Sequence, residues 1–375
     1  MNPVALWLRI ALGVLGVGIV ALVLDAAVRT FLLPRVASVR LSRAIAKSVS
    51  AFFHLIGGSR NTYAQLDRRL SLYPSVLLLS YQATWLGLML VAFACLFMSA
   101  GAPSAARAFE LSGSSLFTLG TTASQGGGQQ ALSYLEAGIG LTLLALLIAF
   151  IPTLYAAFQR REVSVSRLTV RAGVPATPWG VLEIAQSVDS YERLDELWRE
   201  WESWFIEIGE THTTLPILNF YRTSIPGQTW IGSAAAVLDA AALYNSAVDR
   251  PASPTAGLCI RSGWLTLRAL ANYFKVPYHD QSDRAHAIAI SRDEFEAVLD
   301  RLARSGVPLL ADHDAAWQDF VGWRVNYDAM IEAFHVLFTC PRTDWSLSSS
   351  EPLVEPSNRR GLHRHSDDAD PRRAR

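Results

Sequence analysis

The order of apolar and polar positions divides the chain near residue 160. Val4–Leu24 is apolar apart from Arg9, and roughly 20 such residues cross a hydrocarbon core. Two further apolar runs cover about Tyr73–Ala100 and about Leu135–Phe158, so the pattern predicts three spanning helices. A secretory signal is the alternative for the first run. No basic stretch precedes it and the run is long, which favours a retained helix. Between the first two runs, Leu41, Ala44, Ile45, Val49, Phe52, Phe53 and Ile56 recur at helical spacing, with Arg43, Lys47, Ser50 and His54 opposite. That arrangement predicts a basic helix lying in the membrane interface, or else one packed on the soluble part.

Beyond Pro175 and Pro178 the period becomes that of ordinary amphipathic helices, expected at about 180–209, 229–247, 255–274, 292–304 and 313–339. Ala287–Ile290 is the best strand candidate. Residues 346–375 are polar and nearly free of aromatics, hence expected to be disordered. The expected organisation is an N-terminal transmembrane helix (1–34), a basic segment (35–71), a transmembrane hairpin (72–160), a mainly helical cytosolic domain (176–345) and a tail (346–375).

Charge orients this arrangement. The chain is 51% hydrophobic and 18% charged, against about a quarter charged in soluble proteins, and most of its Asp and Glu follow residue 160. A net charge of zero argues against nucleic-acid binding through a global basic field. Arg29, Arg35, Arg40, Arg43, Lys47, Arg60, Arg68 and Arg69 precede the second run, and Arg160, Arg161, Arg167 and Arg171 follow the third. The 101–134 connection carries Arg107 alone. An excess of basic residues marks cytoplasmic loops. The N-terminus and the 101–134 connection are therefore expected outside, and the C-terminal domain in the cytoplasm of a multi-pass cell-membrane protein.

The 101–134 connection has an internal plan. Ala105–Phe117 reads as a short helix, followed by Thr118-Leu119-Gly120-Thr121-Thr122 and a loose Ser124–Gln130. A short helix and an extended stretch between two spanning helices form a re-entrant loop. Non-helical backbone survives at membrane depth only where protein buries it or water bathes it.

Ser115-Leu116-Phe117-Thr118-Leu119-Gly120 resembles the end of the pore helix and the start of the filter in the two-transmembrane, potassium-channel-like superfamily, over about residues 73–160. The resemblance implies an all-α membrane protein with a pore helix and loop, assembled in the bilayer as a homotetramer. It implies a monovalent cation such as K+ as permeant ion, no cofactor and no enzymatic activity. Thr118 would stand for the filter threonine, Leu119 for its valine and Gly120 for its first glycine. Thr121 and Thr122 take the places of its tyrosine and second glycine, a departure from the pattern. The register can also slip, because Thr-Leu-Gly-Thr resembles the Thr-Leu-Thr-Thr that often precedes the filter. Gly138, Gly140 and Pro152 are inner-helix gate candidates, or small residues for close helix packing. Glu136 is expected at the outer mouth, attracting cations or sitting at the headgroup boundary.

The C-terminal half offers weaker signals. Glu207, Glu210 and His212 could form a ligand set, or belong to ordinary helix-end chemistry. His279-Asp280 and His313-Asp314 are adjacent pairs that do not face one another on a helix. Asp312 or Asp314 suits an N-cap. Trp198, Trp201 and Trp204 suit a core or a subunit interface. Neither GxGxxG after a strand nor a GxxxxGK[ST] loop is present. Cys95, Cys259 and Cys340 have no CxxC spacing, which fits free thiols facing the cytosol. The ligand of this domain is not legible. Two alternatives to a cation channel stay open: a non-conducting membrane sensor or scaffold, and a membrane-anchored enzyme with its site in the C-terminal half.

Overall fold

The computed structural model describes residues 3–33, 40–56, 63–223, 225, 227–277, 288–341 and 345. The described chain is almost entirely helical, with no strand. Three of its helices are long and apolar enough to cross a membrane: α1 (Pro3–Phe31), α4 (Tyr73–Ser99) and α6 (Gly127–Ala172). It is an all-α membrane protein.

α1 and α6 outrun the apolar segments that announced them, while α4 matches its own within a residue. α1 lies along α4, where Gly16 leaves no room for a side chain: a Cβ there would stand 2.7 Å from the Ala92 carbonyl oxygen. Trp85 of α4 is fully buried between the rings of Phe31 and Tyr81. The amphipathic segment forms α2 (Arg40–Ile56). It buries Ile45 and Val49 against Leu77 of α4 and leaves Arg43, Lys47, Phe52 and Leu55 exposed. A short α3 (Tyr63–Leu70) follows.

α6 has 46 residues, which at 1.5 Å per residue is about 69 Å, more than twice a hydrocarbon thickness of about 30 Å. Pro152 lies inside it without ending it, because proline removes only one hydrogen bond of the ladder. Past Phe158 the helix changes role. Val165, Leu168 and Ala172 enter the core of the C-terminal bundle, so the backbone does not break at the expected boundary near 160.

That bundle comprises α7 (Pro178–Ser187), α8 (Glu192–Thr214), a 3-10 turn (Pro216–Phe220), α9 (Trp230–Ala247), α10 (Pro254–Phe274), α11 (Arg292–Arg304), α12 (His313–Arg324) and α13 (Asp328–Leu337). α9 is buried over nearly its whole length, as a helix apolar on every side must be. Side-chain oxygens of Thr177, Thr229, Ser253, Ser291 and Asp312 cap five helix N-termini, and Ser291 and Glu294 form a capping box. The 3-10 turn meets the membrane-length helices: Leu218 packs with Leu78 of α4 and with Leu154 and Ala157 of α6.

Several expectations are corrected. The single helix expected at 180–209 is two, interrupted around Asp189, whose φ of 46° is left-handed. The one expected at 313–339 is also two. Residues 288–290 form no strand; Ala287 and the 346–375 tail lie outside the described residues. The cysteines are unpaired, but Cys259 is buried in the bundle core and Cys95 sits within α4, so neither faces the cytosol as expected.

Candidate functional site

The 101–134 connection forms α5 (Ala105–Leu116), capped by Ser104, whose Oγ accepts the Arg107 N–H at 3.2 Å. α5 lies alongside α4 and α6 rather than beyond their ends. Ser112 Oγ is 3.0 Å from the carbonyl oxygen of Leu90, nine residues before the end of α4, about 13 Å down that helix. At the far end of α5, the Leu116 carbonyl oxygen would stand 2.8 Å from a Cβ on Gly140. Gly140 lies well inside the apolar run of α6. Glycine there permits the approach; any larger residue would push the end of α5 away.

Beyond Leu116 the backbone turns back toward Gly127. The Thr118 N–H donates to the Ser115 carbonyl (3.0 Å) and the Leu119 N–H to that of Ser114 (2.8 Å), a Schellman ending with Thr118 in its left-handed position. Positive φ is found at Thr118 (55°) and Gly120 (67°), and at neither Leu119 nor Thr121. Ser114 then holds the returning segment: its Oγ lies 3.2 Å from the Thr122 N–H, which donates to it, and 3.4 Å from Thr121 Oγ1. Arg107 reaches the Ala123 carbonyl at 3.3 Å and pairs with Glu110. Residues 117–121 are exposed in the single chain.

The other candidates fall in different places. Among the described residues, nothing lies near the would-be Cβ of Gly138. Gly140 is a packing contact for α5, as described, and Pro152 lies twelve residues further along α6. Glu136 is corrected: it does not open onto solvent in this chain but is fully buried, with Oε1 2.5 Å from Ser112 Oγ.

In the C-terminal bundle, Glu207, Glu210 and His212 do not converge, and no metal-holding group of three occurs among the described residues. Glu207 pairs with Arg160. His212 is fully buried and faces Arg161, whose Nη1 is 3.3 Å from its Nε2. Because a guanidinium only donates, Nε2 accepts, and Nδ1–H donates to Thr211 Oγ1 at 3.0 Å. Burial first, and the Arg161 charge second, hold the His212 pKa well below its ordinary value. The His313-Asp314 pair splits: His313 contacts Glu296 and Asp314 contacts Arg292. Asp312 is the N-cap. His279-Asp280 lies outside the described residues. Trp198, Trp201 and Trp204 are all core.

Two arrangements were not foreseen. Arg161, with its side chain fully enclosed, donates to the carbonyls of Leu218 (2.8 Å) and Tyr221 (2.9 Å), and pairs with Glu162. It lies over the rings of Phe158 and Trp230, and its own carbonyl accepts from Trp204 Nε1. It thus fastens α6 to α8, α9 and the 3-10 turn. Deeper in the bundle, Asp239 is paired with Arg324 and accepts from Tyr327 OH (2.8 Å) and Trp345 Nε1 (3.2 Å), while Arg324 also holds Asp328 at 2.8 Å. The available signal was Asp239 itself, a lone acid in the run Ala234–Tyr244.

Comparison of the chain with protein-family models, curated proteins and solved structures gave no match.

Proposed function

We propose that this chain is one subunit of a homotetrameric membrane cation channel whose ion path is lined by Thr118–Thr122. The reading rests on one observation above all: residues 117–121 are non-helical and exposed, yet follow directly on a helix end packed against Gly140, at a level where apolar helices flank it. Backbone polar groups at such a level cannot face lipid. Other copies around a shared wet axis would cover them, and each chain would supply one part of the filter. Alternation of φ sign at Thr118–Thr121 helps turn successive carbonyls to one side, where they could replace the water shell of a monovalent cation; K+ is the ion that the resemblance implies. Basic residues after the third run support a cytoplasmic position for the C-terminal bundle. There it would act on the pore through α6, which belongs to both parts and is gripped at Arg161.

A non-conducting sensor or scaffold is the second reading. Its support is the tie of Thr121 and Thr122 to Ser114, at the positions where the filter pattern lapses. Flux through purified protein in liposomes separates the two. Wild type is expected to pass K+, and Gly120→Val to abolish passage, because φ at Gly120 strains any L side chain. Flux that survives Gly120→Val, or a protein that stays monomeric in lipid nanodiscs, would sink the channel.

A further inference from the structure

The proposed ion path makes no use of the buried acid on α6. Glu136 has no exposed surface, and its Oε2 has no hydrogen-bond partner among the described residues. No described basic side chain pairs with it. Its Oε1 meets Ser112 Oγ of α5 at 2.5 Å, and the same Oγ lies 3.0 Å from the Leu90 carbonyl of α4. Three helices therefore converge on one hydroxyl.

A proton count decides how this node works. A serine hydroxyl has one proton to donate, and a main-chain carbonyl has none. If Ser112 gives its proton to an ionised Glu136, the Leu90 contact is left without a hydrogen. If Ser112 gives it to Leu90, the Glu136 contact needs a proton of its own. Only a carboxylic acid satisfies both contacts. It also avoids an unpaired charge enclosed among apolar helices, which is among the costlier states in a protein. We infer that Glu136 is an uncharged carboxylic acid donating to Ser112, which in turn donates to the Leu90 carbonyl, and that this relay positions α5 and the stretch Thr118–Thr122 beyond it.

Glu136 is thereby a positioning residue, acting on the ion path through α5. The effect on flux rests on the channel reading above; the protonation state and the relay do not. The test therefore has two arms on the purified full chain in liposomes. Infrared spectra of wild type minus Glu136→Gln should show a protonated-carboxyl C=O band that shifts in deuterated buffer. Carboxylate bands alone would overturn the assignment, whatever the protein conducts. In the flux arm, Glu136→Gln should stay near wild type, because its amide can still donate to Ser112. Glu136→Ala and Ser112→Ala should each lose flux on the order of fivefold to tenfold, as expected for a lost buried hydrogen bond. A Glu136→Gln protein as impaired as Glu136→Ala, or an unaffected Ser112→Ala, would overturn the relay. Absence of flux from wild type would defeat the channel reading and leave the infrared arm to decide the acid.

Discussion

The two halves of this molecule treat their most deeply buried charges differently. In the C-terminal bundle the deepest charges are closed into a network: Asp239 is met by Arg324, Tyr327 and Trp345, and Arg324 also by Asp328. Among the membrane-length helices the buried acid Glu136 meets no basic side chain among the described residues, and its Oε2 has no partner there; unpaired buried polar atoms as such occur in both halves, Gln82 and Trp85 Nε1 in one and Trp179 Nε1 and Trp198 Nε1 in the other. Large apolar side chains such as Leu141, Leu144, Ile148 and Ile151 of α6 stand exposed. The bundle closes its deepest ion pairs within one chain. The membrane half is finished only by what surrounds it, lipid on one side and, in the channel reading, further copies on the other. Arg161 is where the bundle takes hold of the membrane half.

The largest expected effect tests that contrast at its strongest point. Arg324→Ala leaves Asp239 and Asp328 buried without their cation, and removing one partner of a buried ion pair costs about 3–5 kcal/mol. Near-ultraviolet dichroism, which reports the tryptophan-rich bundle, should show its melting fall by many degrees. An unchanged transition would mean that the network is not buried in the folded protein.

A smaller effect separates the junction from the bundle interior. His212 has a depressed pKa because it is buried and faces Arg161, so the unfolded chain takes up a proton more readily than the folded one. Stability is then fully present above the unfolded value of about 6.5 and is lost as pH falls below it, by at most about 1.4 kcal/mol per unit. Thermal unfolding between pH 7 and pH 5 should show this slope in wild type, and His212→Gln should flatten it. Equal slopes in the two proteins would remove His212 from the junction.

What could be read from the sequence follows the same division. Apolar runs long enough to cross a bilayer are a one-dimensional signal, and α1, α4 and the start of α6 were visible in it. The spacing and small residues of α5 were visible too, because a helix bounded by Pro103 and Gly120 has few alternatives. The far reach of α6 was not. Arg160, Arg161 and Glu162 read as the polar end of a span, whereas in three dimensions they meet Glu207, the 3-10 turn and each other. The break near Asp189 escaped because no glycine or proline marks it; a left-handed aspartate serves instead. Glu136 was misplaced for a related reason. Its position along the chain suggests the end of a helix, and only the packing of α5 against α6 encloses it. Partners distant in sequence, such as Arg324 for Asp239, leave no local trace.

The smallest effect sharpens the comparison at the loop itself. α4 and α5 end in the same Schellman geometry: Ala102 N–H to the Phe97 carbonyl in one, Leu119 N–H to the Ser114 carbonyl in the other. The left-handed position is Gly101 in the first and Thr118 in the second, with φ of 94° and 55°. A side chain there costs roughly 1–2 kcal/mol, part of which glycine returns through the larger entropy of its unfolded chain. Thr118→Gly should therefore raise stability by about 0.5–1 kcal/mol, and Gly101→Thr should lower it by a similar amount. Strain retained at Thr118 is a sign of use when its relief harms function. If Thr118 contributes to the ion path, Thr118→Gly proteoliposomes will melt higher and pass less K+, the two readouts moving in opposite directions. A variant that is both more stable and equally conductive would reduce Thr118 to a helix cap and leave the filter to begin at Gly120.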